Sequence, residues 1–175
     1  MNSEELKKIQ APIKESYRQH PERAVITLKS QGKISEGISC KVDTGKALIT
    51  AGLHPATGGN GMYTCSGDML LEALAACAGV TLSAVATAIG IEMKDVTVKA
   101  EGDIDFRGTL GISREADVGF QAIRLSFDID ADVTDDQIQT LKKLTERYCV
   151  VYQTLKKGNQ ITTTFNRSQN ASGNW

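Results

Sequence analysis

One long, almost uncharged stretch constrains the fold more than any other feature of this sequence. Between residues 69 and 91 the only charged side chain is Glu72, and the next charge beyond the stretch is Glu92. As a helix, residues 70–91 would be about 33 Å long. The stretch is rich in Ala, Gly, Ser and Thr, which transfer weakly into lipid, and polar turns flank it. It therefore predicts the core helix of a soluble domain rather than a membrane span.

Capping signals define this helix and a second one. Ser66-Gly67-Asp68 offers a helix start, and Gly90 offers an end. Thr134-Asp135-Asp136 predicts the start of a second helix running to about Lys157, next to Gly158. The apolar stripe of that helix is Leu141, Leu144, Tyr148, Val151 and Leu155.

The two ends of the chain have their own signals. Helical spacing predicts a helix from Ser3 to about His20, kinked by Pro12 and followed by Pro21. Residues 169–175 are polar and predict a frayed tail. Neither segment carries a candidate site residue.

Segments rich in β-branched residues, or alternating in polarity, predict strands around the helices. The predicted strands are residues 24–30, 38–42, 47–50, 96–102, 123–130 and 161–165. The first three would form an antiparallel meander with turns at 32–33 and 43–45, and residues 108–119 would form a loop. The pattern predicts an α+β fold of antiparallel sheets with two long central helices.

Charge and the amino terminus narrow the function classes. Lys plus Arg number 20 and Asp plus Glu number 21, which argues against a dedicated nucleic-acid-binding protein. The first residues, MNSEELKKIQ, are polar and lack the apolar core of a secretory signal. We therefore expect a cytoplasmic protein with no membrane partner, in which thiols are free or redox-active.

Cysteine is the residue type that offers chemistry. The four cysteines are Cys40, Cys65, Cys77 and Cys149. None belongs to a CxxC pair, and His20 and His54 are the only histidines, so we expect no metal site and no bound cofactor. Cys40 falls in a predicted strand, and Cys65 falls at the junction of a loop and a helix.

Cys77 and Cys149 lie in the middle of the two predicted long helices. Two buried helices in a small domain pack on each other, which would bring the two sulfurs within reach. A redox pair requires that proximity and a lowered pKa on one thiol. Buried cysteine also packs as an inert small hydrophobe, and the pattern alone leaves both interpretations open. Arg147 would point to a different helix face from Cys149, so it is no obvious activator.

Two segments resemble the cysteine motifs of one family. Residues 65–82 (CSGDMLLEALAACAGVTL) and 145–155 (TERYCVVYQTL) resemble the first and second cysteine motifs of the OsmC/Ohr superfamily, the osmotically inducible protein C and organic hydroperoxide resistance proteins. The order of elements also resembles that family. On this basis the chain divides into an N-terminal helical extension (1–22), an OsmC/Ohr-like domain (23–166) and a flexible tail (167–175).

The resemblance implies an intertwined homodimer with active sites at the dimer interface. It implies a thiol peroxidase, with peroxiredoxin-type activity, that reduces organic hydroperoxides during oxidative stress. The Cys77 thiolate would become a sulfenic acid, and Cys149 would resolve it as a disulfide. An external dithiol, such as a lipoylated protein, would then restore both thiols.

This chain departs from the family at the groups that support the reactive cysteine. The family uses an arginine from the early strands, and here no arginine lies between Arg23 and Arg107. Lys29 and Lys33 are candidate substitutes, although lysine cannot make the planar bidentate contact of arginine. Where the family has proline after its second cysteine, this chain has Val150.

The family's glutamate at the start of the cysteine helix is also missing. Gly67 stands at that position, with Asp68 beside it and Glu72 one turn further on, and both carboxylates are candidate supporting groups. His54 is a further candidate near the mouth of the cleft, although a lone histidine is more often a surface residue.

Two alternatives to catalysis remain at this stage. Because the arginine and glutamate are missing, the same fold could bind a small hydrophobic ligand at the dimer interface without reacting with it. The chain could also be a structural or interaction protein with inert thiols.

Overall fold

The computed structural model describes residues 2–20, 31–35, 39–43, 48–111 and 113–167. The helices are α1 (Ser3–Gln19), α2 (Ser66–Ile89), α3 (Phe106–Thr109), α4 (Asp135–Tyr148) and α5 (Val150–Lys157). The strands are β1 (Gln31–Ser35), β2 (Ser39–Asp43), β3 (Leu48–Gly52), β4 (Thr64–Cys65), β5 (Asp95–Ile104) and β6 (Phe120–Asp130). This order confirms the α+β class and both long helical regions.

The first sheet has the order β1-β2-β3-β4, and its first three strands form the predicted antiparallel meander. β4 adds a short parallel pairing to β3 just before α2 begins. The predicted turn at 32–33 is wrong, because Gly32 and Lys33 lie inside β1 and pair with Val42 and Lys41. A glycine within a strand gave a misleading turn signal. The predicted strand at 24–30 and most of the turn at 43–45 lie outside the described residues.

The second sheet is the antiparallel hairpin of β5 and β6, and each strand is longer than predicted. Side chains along β5 alternate between half-buried and exposed, because one face of the hairpin packs against α2. On the outer face, Arg124 pairs with Asp103 across the two strands. The hairpin therefore forms the layer on which the helices pack.

α2 buries one face rather than its whole circumference. Its buried residues are Leu74, Ala78, Leu82, Val85 and Ala86. The opposite face is exposed, and Val80 keeps 72% of its surface accessible. Gly90 ends the helix in the left-handed conformation with φ of 75°, as the sequence predicts.

By length and composition alone, α2 could also cross a membrane, with a mean hydropathy of 1.9. A core helix meets the same criterion, and one such helix is weak evidence for a membrane. Here α2 contacts β5, α4, α5 and α1 within the chain. Only 28% of the apolar stretch is buried by these contacts, so α2 is packed on one face and a single chain leaves most of its apolar surface uncovered.

Two predictions about the carboxyl-terminal third need correction. Thr134 and Gln137 form the predicted capping box, but the helix that begins there breaks at Cys149 and resumes as α5. The predicted strand at 161–165 is absent from the described chain, where Ile161 and Phe165 are 85% and 94% exposed. A strand needs a neighbouring edge, and no strand within the described residues pairs with this segment.

Candidate active site

The break between α4 and α5 shapes the region around the two cysteines. Cys149 has an extended conformation, with φ of −70° and ψ of 109°, and lies at the end of α4 and the start of α5. Its N–H still donates to the carbonyl of Thr145 at 2.9 Å. The next carbonyl, that of Glu146, accepts instead from the side-chain amide of Gln153 at 2.7 Å.

This replacement frees backbone donors. In an unbroken helix, the Glu146 carbonyl would accept from the N–H of Val150. Because Gln153 takes that place, the N–H groups of Val150 and Val151 become unpaired donors of the first turn of α5. Both N–H groups are among the neighbours that lower the pKa of the Cys77 thiol on α2. The helix break thus turns a helix N-terminus toward the candidate nucleophile.

The environment of Cys77 favours its thiolate. Burial acts first and raises the pKa of the half-buried thiol. Hydrogen bonds to the sulfur outweigh burial and hold that pKa below the ordinary value of a cysteine. The donors, from larger to smaller effect, are the Val151 N–H, the Cys149 thiol, the Val150 N–H and the Thr81 hydroxyl.

The Thr81 hydroxyl has a second acceptor beside Cys77. It donates to the backbone carbonyl of Cys77 at 2.7 Å, one helical turn away. A hydroxyl hydrogen rotates to suit its surroundings, so it can serve either this carbonyl or the sulfur. Thr81 is therefore a polar group able to follow the charge on Cys77.

Cys149 has the opposite tendency. It is 1% exposed, and burial is the main cause that raises its pKa. The hydrogen bond to the Cys77 sulfur and the charge there raise that pKa further, while N–H groups of Tyr152 and Val151 partly oppose them. Of the two thiols, Cys77 therefore loses its proton at the lower pH.

Three exposed apolar side chains lie close in sequence to the two cysteines. Val80 lies one helical turn after Cys77, and Tyr148 and Val150 flank Cys149. These three residues are 72%, 57% and 70% exposed. If these side chains form one surface in the folded protein, they are candidates for a ligand or partner contact.

The other candidate residues lie elsewhere. His54 and Asp68 line a separate pocket of about 350 Å³ together with Cys65 and Phe106. His54 stacks on Phe106 at 4.9 Å between ring centroids, and its Nδ1 accepts from the N–H of Ala56. These contacts give His54 a structural role in the loop before β4.

The remaining candidates are placed as follows. Glu72 is exposed on α2, five residues before Cys77 and so on a different helix face. Lys33 lies on β1, and Cys40 lies on β2. Among the described residues, no three His, Cys, Asp or Glu side chains group as ligands of a metal ion.

The sequence predicted that Cys77 and Cys149 lie close together, but it did not predict three groups that lower the pKa of Cys77. Thr81 had a detectable signal, because it follows Cys77 by four residues on the same helix face. The N–H groups of Val150 and Val151 had none, because every non-proline residue carries a backbone donor. Their role depends on the helix break, which the sequence did not predict.

A family model and solved structures match this chain. Residues 58–164, more than half of the 175-residue chain, match the model of OsmC-like proteins. The match includes Cys65, Cys77 and Cys149 and omits α1. No curated protein matches the sequence.

The solved structures that resemble the fold share little sequence with it. An OsmC-like protein from Mycoplasma pneumoniae has a TM-score of 0.64 at 18% identity, covering 76% of this chain and 89% of its own. An organic hydroperoxide resistance protein OsmC from Legionella pneumophila has a TM-score of 0.60 at 18% identity, covering 77% and 92%. An organic hydroperoxide resistance protein from Elizabethkingia anophelis has a TM-score of 0.61 at 20% identity, covering 77% and 91%.

Proposed function

The chain belongs to the OsmC-like protein family, and from that premise we propose that it reduces organic hydroperoxides through Cys77 and Cys149. The observation that carries the proposal is the asymmetry of the two thiols. Cys77 has a lowered pKa and partial exposure, while the adjacent Cys149 is buried with a raised pKa. A nucleophile and a resolving thiol require this difference.

The proposed reaction balances over two thiols and one peroxide. The Cys77 thiolate attacks the terminal oxygen of the hydroperoxide, the O–O bond breaks, and the alkoxide takes a proton to leave as an alcohol. Cys77 is then a sulfenic acid. Cys149 attacks its sulfur, the S–O bond breaks, and water leaves as the disulfide forms. An external dithiol reduces the disulfide and is itself oxidised to a disulfide.

Oxidation of Cys77 also prepares Cys149 for its step. In the reduced pair, the charge and hydrogen bond of the Cys77 sulfur contribute to the raised pKa of Cys149. A neutral sulfenic acid removes that charge, so the pKa of Cys149 falls when its thiolate is needed. The order of the two steps follows from the electrostatics of the pair.

Backbone groups take the place of the family's arginine in this proposal. The first two N–H groups of α5 lower the pKa of Cys77, and a helix start carries a partial positive charge that favours a nearby thiolate. Proline, which the family commonly has after its second cysteine, carries no N–H. Val150 supplies a donor at that position. This chain therefore compensates for a missing side-chain cation with a backbone donor.

We propose in addition that the protein acts in the cytoplasm as a homodimer, with the substrate and an external dithiol as its other partners. The dimer would cover the exposed apolar face of α2, which includes Val80 and small residues. Close helix contact is easiest across small side chains. A dimer contact here would also complete the apolar surroundings of Cys77.

The decisive experiment compares Cys77→Ser with Cys65→Ser. Fully reduced protein is mixed with cumene hydroperoxide and dihydrolipoamide, and peroxide loss is followed with time. Loss of the nucleophile should reduce the rate by about a thousandfold or more. Cys65→Ser keeps the thiol pair and should react as the parent does. Equal rates for parent and Cys77→Ser would disprove the proposal.

The dimer is tested separately by sedimentation equilibrium. A charge at Val80→Glu would be buried without a partner in the dimer, so this variant should sediment as a monomer while the parent sediments as a dimer. Glu72→Gln, a change at an exposed position on the same helix, is the matched control. A parent that stays monomeric at high concentration would exclude the dimer.

A further inference from the structure

A second pocket, separate from the one that His54 lines, lies between the helices and the hairpin. It is a partly open cleft with a volume of about 240 Å³, lined by residues of α2, α4, α5 and β6. Its wall is mainly apolar and includes Leu82, Leu125, Phe127, Ile138 and Leu141. Neither Cys77 nor Cys149 is among the described residues that line it.

One buried polar group in this wall lacks a partner. Thr145 lines the pocket and is 3% exposed. Its Oγ1 has no hydrogen-bond partner within the described part of the chain. A buried hydroxyl without a partner is destabilising, and native proteins almost always satisfy such groups. That oxygen is closed to solvent in the present rotamer, so a ligand hydroxyl at the pocket wall would satisfy it once the Thr145 side chain rotates.

The charges around the pocket indicate the kind of ligand. Lys142 and Glu146 both line it, so the positive and negative charges at its edge balance. A charged ligand would gain little from this pair and would lose hydration in the apolar interior. The wall favours a compact apolar body, and the hydroxyl favours one polar group that can donate or accept a hydrogen bond.

We propose that this pocket binds a small neutral molecule with an apolar body and a single hydroxyl group, anchored on Thr145. The hydroxyl of the ligand and that of Thr145 form the one buried hydrogen bond of the complex. The site is independent of the peroxidase proposal, because its lining residues and its binding equilibrium do not involve either reactive thiol. The backbone carbonyl of Thr145 accepts a hydrogen bond from the N–H of Cys149. The ligand therefore binds one helical turn from the resolving cysteine.

Benzyl alcohol and toluene provide a matched pair of probes, since they share the ring and differ in the hydroxyl. Each is titrated into the ¹⁵N-labelled, reduced full-length protein, and amide shifts give both the location and the dissociation constant. The expected shifts centre on residues 125–129 and 138–146. Thr145→Val keeps the shape of the side chain and removes the hydroxyl. This variant should raise the dissociation constant of benzyl alcohol about tenfold and leave that of toluene within about twofold of the parent value.

Two variants control for indirect effects. Thr145→Ser keeps the hydroxyl and should keep the affinity for benzyl alcohol within about threefold. Thr140→Val changes an exposed threonine of the same helix, whose hydroxyl donates to the Asp136 carbonyl, and should change neither affinity.

Three results would overturn the proposal. The first is an equal loss of affinity for both probes in Thr145→Val, which would mean that the Thr145 hydroxyl is not the anchor. The second is the absence of shifts in the parent at 125–129 and 138–146. The third is a set of amide shifts in β6 and α4 that depend on protein concentration and do not respond to benzyl alcohol. That result would make the pocket an interface between copies of the chain. The parent titration alone decides the second and third, even where Thr145→Val fails to fold.

Discussion

Two helices of this protein begin at a cysteine, and the two helix starts differ in what their N–H groups meet. Cys65 precedes the 24-residue α2, and Cys149 precedes the eight-residue α5. Neither cysteine side chain caps its own helix. Asp68 places a negative charge in the first turn of α2. The first turn of α5 is uncharged, and its first two N–H groups lower the pKa of Cys77 on the other helix.

The comparison shows that the length of a helix does not decide whether its N-terminus lowers the pKa of a nearby thiol. The partial positive charge of a helix is concentrated in its first turn, so a long helix has little advantage over a short one. At the start of α2, the helix's own carboxylate complements that charge. At the start of α5, a thiolate from α2 does so. The reactive cysteine therefore lies in the middle of one helix and depends on the start of another.

The largest expected effect comes from removing the cysteine at the start of α5. In Cys149→Ser, a side chain of similar size should preserve the break between α4 and α5, but without its sulfur the variant cannot form the disulfide. Turnover in excess cumene hydroperoxide should stop after about two peroxides per chain, because the first forms the sulfenic acid of Cys77 and the second oxidises that unresolved sulfenic acid to a sulfinic acid. Mass spectrometry should find added oxygen on Cys77 in place of an internal disulfide.

The same experiment on Cys65→Ser sharpens the contrast between the two helix starts. This variant should sustain turnover and form the Cys77–Cys149 disulfide as the parent does. If it also stopped after about two peroxides per chain, Cys65 would be part of the thiol relay, and the assignment of Cys149 as the resolving thiol would be incomplete.

A smaller effect is expected from removing one donor at the start of α5. Val150→Pro deletes an N–H at the first position of the helix, where proline is well tolerated, and the extended conformation of Cys149 suits a following proline. The N–H stabilises the charged thiolate, so its loss should raise the pKa of Cys77. Below that pKa, alkylation by iodoacetamide and peroxide reduction should slow about tenfold at a fixed pH.

The pH profile distinguishes this cause from a structural one. For Val150→Pro, the midpoint of alkylation should move to higher pH, and the rate at high pH should return to the parent value. Val150→Ala keeps the N–H and should leave the midpoint unchanged. A uniform loss of rate at every pH, or an equal effect of Val150→Ala, would mean that the backbone donor is not responsible.

The sequence predicted the elements of the fold well because their signals are local. The Thr134 capping box, the left-handed Gly90 and the alternation along β5 each involve a few neighbouring residues. The errors concern tertiary context. The break at Cys149 contains neither glycine nor proline, and it is stabilised by the Gln153 side chain seven residues from the carbonyl that it satisfies. The segment at 161–165 has a strand pattern without a strand partner in the described chain.

The candidate site was predictable only where side-chain identity carries the chemistry. Cysteine is distinctive, so Cys77 and Cys149 could be proposed as a pair from their helices alone. The carboxylate and imidazole candidates Asp68 and His54 instead share a pocket with Cys65. The donors that lower the pKa of Cys77 include backbone groups, which any residue except proline can provide. Their contribution could be found only from the fold.

The smallest expected effect tests whether the start of α2 takes part in catalysis. Asp68→Asn removes the charge that complements the dipole of α2, so the free energy of unfolding should fall by about 0.5 kcal/mol in a urea titration. Peroxide reduction should stay at the parent rate, because Asp68 is not among the groups that shift the pKa of Cys77. A loss of rate comparable to that of Val150→Pro would instead make Asp68 a supporting group for Cys77. The two helix starts would then act on the same thiol, and the contrast between them would be wrong.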